Sequence, residues 1–170
     1  MEVRPIEPIP PMIYLQLLIV VIAANGAPIL GRLLMRSFWS TPLDLGARFV
    51  DGQPLLGSSK TCRGVVFGVV TAGLIAEVIA LPFEIGIMIG ALAMCGDVVS
   101  SFAKRRFRLP SESMAVGLDQ IPESLFPLLG VKTLYGLSWP GIGLTVCGFL
   151  ILELLLSVVL YKLHIRKHPY

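Results

Sequence analysis

The sequence predicts an all-α integral membrane protein of about five transmembrane helices, with its chemistry gathered on the cytoplasmic side. Three observations carry that expectation. The chain is 55% hydrophobic and only 15% charged, against roughly 25% charged in soluble domains, and its mean hydropathy is +0.80. Its apolar residues fall in runs that approach the length of about 20 helical residues needed to cross a core of about 30 Å. Its basic residues fall in three groups, and five spans place all three on one side. A length of 170 residues suits a single domain.

The first span is expected over 12–34, entered from the Pro-rich "MEVRPIEPIPP". It is too long for a secretory h-region, so no cleavable signal is expected. The second, 64–81, carries a ladder of small residues: Gly64, Gly68, Ala72 and Ala76. In the third, 85–102, Gly86, Gly90, Ala93, Asp97, Ser101 and Lys104 recur at steps of three or four and share one face. The small outer half of that face lets another helix approach closely, and its polar inner half should open toward the cytoplasm. Asp97 marks function, because an ionisable residue at membrane depth is costly without compensation.

The fourth span, 121–137, is the weakest, holding Pro122, Glu123, Pro127 and Lys132. A short or kinked helix sheltered by the others is expected. The fifth, 142–160, contains Glu153, which no reading of the sequence assigns.

Charge supports the count. Arg32, Arg36, Arg48, Lys60 and Arg63 precede span two. Lys104, Arg105, Arg106 and Arg108 follow span three, and Lys162, Arg166 and Lys167 follow span five. Only Arg4 and Lys132 fall elsewhere. The positive-inside rule then puts the N-terminus outside and the C-terminus inside the cytoplasmic membrane. Four spans would leave the last basic group on the wrong side. His164 and His168 in the basic tail read as solvated or headgroup-facing, and Cys62, Cys95 and Cys147 as packing residues.

Two polar loops carry the chemistry. In "RFVDGQPLLGSSKTCRG", residues 48–64, Lys60, Thr61 and Arg63 meet the start of span two. Backbone N–H groups at a helix start, a hydroxyl and two cations suit a phosphate, although the P-loop spacing is absent. In "GLDQIPES", Asp119 and Glu123 stand four residues apart and join Asp97 in an acidic cluster. Carboxylates beside Lys and Arg suggest magnesium with a polyphosphate. The competing reading is salt bridging alone, and lipid headgroups could supply part of the negative charge.

At these residues the chain resembles the CDP-archaeol synthase family, within the membrane CTP-dependent cytidylyltransferases that include CDP-diacylglycerol synthases. The matching stretches are "NGAP" at 25–28, "VDGQPLLGSSKTCRG" at 50–64, "GDVVSSFAKRR" at 96–106 and "LDQ" at 118–120. They are colinear over roughly residues 12–160. The resemblance implies transfer of a cytidylyl group from CTP to a membrane lipid phosphate, with pyrophosphate released and Mg2+ used. It implies Asp97, Lys104 and Asp119 as the catalytic set, with Asp97 and Asp119 as metal ligands. Lys60, Thr61, Arg63 and Arg105 are the implied nucleotide and phosphate contacts, and Asn25, Asp51, Ser101 and Glu123 support them. The chain departs from the family pattern at Cys62, where an aromatic is usual. It departs again at "DQIPE", where Pro122 replaces an acid and a carboxylate moves to Glu123.

The expected partners are CTP, a lipid phosphate and membrane lipids, with a second copy of the chain as a candidate and no nucleic acid. A CDP-alcohol phosphotransferase is disfavoured, because Asp51-Gly52 alone does not make its acidic array. The alternative from another class is a noncatalytic membrane subunit or small transporter, with Asp97 and Glu153 along a pathway. The nearly continuous apolar outer halves of the spans disfavour it.

Overall fold

The computed structural model describes residues 10–110, 113 and 115–163. Within them the chain forms five helices: α1 (Pro11–Met35), α2 (Cys62–Val78), α3 (Phe83–Arg106), α4 (Gln120–Tyr135) and α5 (Trp139–Lys162). The expected outer N-terminal segment lies outside the described residues, as do Arg166, Lys167, His164 and His168. Three helices, α1, α3 and α5, are long and apolar enough to cross a membrane by length and composition. The other two have 17 and 16 residues, or about 25 Å at 1.5 Å per residue.

Local chemistry sets the helix ends. Thr61 precedes α2, and its hydroxyl accepts a hydrogen bond from Gly64 N at 3.2 Å, a preferred N-cap arrangement. Ser138 does the same for α5, accepting from Gly141 N at 3.1 Å, with Pro in the first turn. Gly136 takes the left-handed conformation that ends α4. Helix α3 runs four residues past the expected end at 102, through Lys104, Arg105 and Arg106. Cations in a last turn are favoured by the helix dipole, and these three side chains are all held by neighbouring groups.

The helices alternate in direction. Near one end of the bundle, Tyr14 accepts from Ser138 N at 3.0 Å and Gln16 donates to Ile79 O at 2.7 Å. These bonds fix the start of α1 to the start of α5 and the end of α2. Lys132 lies over the Trp139 ring at the same end.

The core is built from small and branched residues, including Val20, Ala24, Ala72, Ala76, Ile89 and Ala93. The α2–α3 seam is the tightest part. A Cβ on Gly86 would stand 2.5 Å from Ala72 O, and one on Gly90 would stand 2.8 Å from Val69 Cα. The expected small ladders therefore meet, and backbone approaches backbone as small-residue membrane interfaces allow. Large apolar side chains such as Leu74, Leu144 and Leu155 point outward, as expected where the surrounding solvent is lipid.

Candidate functional site

At the opposite end, the 26 residues between α1 and α2 fold back on themselves rather than trailing as a linker. Isolated bridges join Pro42 to Thr61 and Arg48 to Pro54. The hub is Asp44, a buried carboxylate. One of its oxygens accepts from Leu56 N and Gly57 N at 2.9 and 3.1 Å, and the other from Gly46 N at 3.0 Å. Burial alone would raise its pKa, but the three amides outweigh burial and hold the carboxyl below its ordinary value. The loop thus delivers Lys60 to the bundle on a folded support.

Lys60 forms an ion pair with Asp97 of α3. Burial is the largest single influence on the Lys60 ammonium and pushes its pKa down, but Asp97, Glu123 and Asp119 together outweigh it, so the net shift is upward. Asp97 of α3 is the ion-pair partner of this cation, and Glu123 and Asp119 act on it at longer range. Glu123 is buried beside Asp97, with Glu153 of α5 also within electrostatic reach.

The second pair is Lys104 with Asp119. The ammonium lies 2.8 and 3.0 Å from the two carboxylate oxygens and also donates to Ser113 O at 3.0 Å. Asp119 further accepts from Ala115 N at 3.0 Å. Both side chains are about one-tenth exposed, so this pair is well removed from solvent. Asp119 is the residue before α4 and already has helical backbone angles, which places Glu123 one turn farther on.

The remaining expected residues take varied positions. Thr61 is committed to the α2 cap. Arg63 is buried, and its Nη1 donates to Arg36 O and Phe38 O at 2.8 and 2.7 Å, holding the end of α1. Arg105 donates to Pro110 O at 2.9 Å. Ser101 is buried one turn beyond Asp97, and the neighbouring Ser100 hydroxyl donates to Asp97 O at 2.9 Å. Asn25 donates to Val21 O and lines a cavity of about 30 Å³ between α1 and α5 with Glu153 and Ser157. Asp51 accepts from Gln53 N at 3.0 Å and pairs with Arg106.

Sequence reasoning missed Asp44 and gave Arg106 no role of its own. Asp44-Leu45-Gly46 carries an Asp turn signal, whereas the Arg106 contacts are long-range and leave no local trace.

For a divalent ion the donor chemistry fits, because carboxylate oxygens are hard ligands. Magnesium commonly uses one or two carboxylates plus substrate phosphates. Among the described residues no three His, Cys, Asp or Glu side chains group closely enough to hold a metal by themselves. The two aspartates are instead neutralised by Lys60 and Lys104.

Comparison with known proteins covers nearly the whole chain. A family model described as CarS-like CDP-archaeol synthase matches residues 11–170. The CDP-archaeol synthase of Hyperthermus butylicus is 33% identical over 156 residues, covering 88% of this chain and 90% of that protein. The CDP-archaeol synthase of Methanopyrus kandleri is 34% identical over 138 residues, covering 76% and 79%. A solved structure of an intramembrane enzyme for archaeal membrane lipid biosynthesis superposes with a TM-score of 0.72 at 25% identity. That match covers 85% of this chain and 92% of that one.

Proposed function

Because the chain belongs to the CarS-like CDP-archaeol synthase family, and so is a membrane cytidylyltransferase joining CTP to a lipid phosphate, we propose that Lys60, Asp97, Lys104 and Asp119 form its reaction centre. The observation that carries this assignment is the pair of ion pairs at one end of the bundle, Lys60 with Asp97 and Lys104 with Asp119. The four residues come from three segments, the α1–α2 loop, α3 and the entry to α4.

The chemistry follows from charge. A lipid phosphate oxygen attacks the α-phosphorus of CTP, forming one P–O bond. The bond to the bridging oxygen breaks, and pyrophosphate leaves with that electron pair. A phosphate monoester with a second pKa of about 6 is mostly dianionic near neutral pH, so the nucleophile needs no base from the protein. The obstacle is repulsion between two anions. Lys60 and Lys104 exchange their carboxylate partners for phosphate oxygens, which brings the anions together and orients an in-line approach. Asp97 and Asp119 are the residues that would hold magnesium, and the ion would supply charge neutralisation of the triphosphate. Glu123 supports Asp97 from α4, and Arg63 and Thr61 hold the frame from which Lys60 projects.

The basic-residue pattern supports an outside N-terminus, with the site and C-terminus facing the cytoplasm. Incubation of the purified protein with labelled CTP, magnesium and a panel of isoprenoid-ether and acyl lipid phosphates tests the assignment. Stoichiometric CDP-lipid and pyrophosphate are expected. Absence of product from every lipid phosphate, together with no CTP-dependent rise in melting temperature, overturns it.

A further inference from the structure

Arg106 is the one cation of the "AKRR" run that reaches back into the α1–α2 loop in the contacts described above, and it does so with both terminal nitrogens and the face of its guanidinium. Its Nη1 meets the Asp51 carboxylate, and its Nη2 donates to Pro54 O at 2.6 Å. The guanidinium lies 4.7 Å from the Phe49 ring centre and 4.9 Å from that of Phe102. The two rings meet edge to face at 5.3 Å. A planar fork that bonds and stacks at once is a use of arginine that lysine cannot reproduce.

The loop thus has two charged anchors on α3. Lys60 is tied to Asp97, and Asp51 to Arg106, nine residues apart in both segments. At about 100° per residue, nine residues place Asp97 and Arg106 on opposite sides of α3, about 13.5 Å apart along its axis. Phe102 lies on the Arg106 side and Lys104 on the Asp97 side by the same spacing. The loop therefore wraps around the end of α3 instead of lying along it. The nine loop residues reach about 30 Å when extended, so the tie is not enforced by a taut chain.

We infer that Arg106 is a positioning residue: it pins the loop to the far side of α3, so that Lys60 stays over the site after exchanging Asp97 for a nucleotide phosphate. The inference rests on the proposed exchange at Lys60. Before nucleotide binds, either anchor holds the loop. Once Lys60 leaves Asp97, the Arg106 clamp and the Phe49–Phe102 ring contact it covers are the remaining side-chain ties to α3 among those described, and the clamp governs how often Lys60 meets the phosphate.

The test uses the full chain in lipid nanodiscs, comparing wild type with Arg106→Ala, Arg106→Lys and Asp51→Asn. Hydrogen exchange is followed at the Phe49, Gly52 and Leu55 amides, which are bonded within the loop, with and without magnesium-CTP. In wild type these amides should stay protected in both states. In Arg106→Ala they should exchange about tenfold faster, and mainly when CTP is bound, while KM for CTP rises about tenfold and kcat changes less than about threefold. Arg106→Lys should restore little of this, and Asp51→Asn should reproduce part of it from the other side of the tie. Unchanged loop protection and KM in both Arg106→Ala and Asp51→Asn overturn the inference. A large fall in kcat at constant KM also overturns it, because Arg106 would then act on the reacting phosphates. If wild type itself makes no CDP-lipid, the proposed function fails. Loop exchange without nucleotide then decides whether the Arg106 tie exists, since a double variant, Lys60→Ala with Arg106→Ala, must expose the same amides.

Discussion

Lys60 and Asp97 form an ion pair across the join between the α1–α2 loop and α3, each side chain about one-fifth exposed at 20% and 21%. A pair so placed is shielded enough to align both groups and open enough for an incoming phosphate to compete. Both side chains are about four-fifths buried, so removing one leaves the other short of its counter-charge. That costs more than the roughly 0–1 kcal/mol of a surface pair, whereas an incoming phosphate keeps Lys60 paired. Lys60→Ala should lower the melting temperature of the nucleotide-free protein, by less than removal of Lys104 from the more deeply buried Lys104–Asp119 pair. It should also remove most of the rise in melting temperature that magnesium-CTP gives, and both are read in one thermal scan.

Arg63 should differ in its response to CTP. Its buried guanidinium donates to two carbonyls at the end of α1, and a hydrogen bond from a charged group contributes about 1.5–3 kcal/mol. Arg63→Ala is therefore expected to lower the melting temperature of the nucleotide-free protein clearly. The additional rise with CTP should persist in the fraction that remains folded. Loss of the CTP response without loss of stability would place Arg63 on the nucleotide instead.

The Lys104–Asp119 pair is buried, and removing one member of such a pair typically costs about 3–5 kcal/mol. Lys104→Met should thus destabilise strongly. Adding Asp119→Leu to it should recover much of the stability, because an apolar pair replaces an uncompensated charge. Neither protein should turn over. Recovery of activity in the double variant would remove both residues from the reaction.

Among the acids, Asp97→Asn and Asp119→Asn should each lower kcat by about a hundredfold or more, through loss of about 3 kcal/mol of transition-state stabilisation. Glu123→Gln should lose about 10- to 100-fold, and added magnesium should restore part of that. Equal inactivity of Glu123→Gln at saturating magnesium would make Glu123 a direct ligand.

The two shifted groups outside the helices set opposite pH limbs. Asp44 has a lowered pKa, so its contribution to stability is complete above 3.8 and disappears as pH falls through the lowered value. Lys60 has a raised pKa, so its contribution is complete below 10.5 and disappears as pH rises through the raised value. Melting temperature against pH should be flat with respect to both groups near neutrality. Asp44→Asn should lower the melting temperature at neutral pH and flatten the acid limb, and Asp97→Asn should move the alkaline limb down.

Much of this was legible in the chain. The five helices were expected within a few residues of where they lie, because apolar runs and basic groups report the membrane directly. Glycine spacing foretold the α2–α3 seam for the same reason, since small faces need small partners. Asp97, Asp119, Lys60 and Lys104 stood out in the sequence, because charges near membrane depth need compensation. Their pairing was not, since each partner comes from a distant segment. The loop was the least legible part. Asp44 and Arg106 act through backbone amides, a carbonyl and two rings whose positions only the folded chain brings together.

Gly96 gives that arrangement a mechanical scale. A Cβ there would stand 2.5 Å from the Pro122 carbonyl carbon and 2.7 Å from Glu123 N, so the backbones of α3 and α4 touch one residue away from Asp97. Gly96→Ala is then a shim one methyl thick, driven between the two helices that carry the carboxylates. It changes the gap at the site while every charged group stays in the chain. A graded set of such shims would let distance be varied while composition is held fixed, which substitution of the acids themselves can never do.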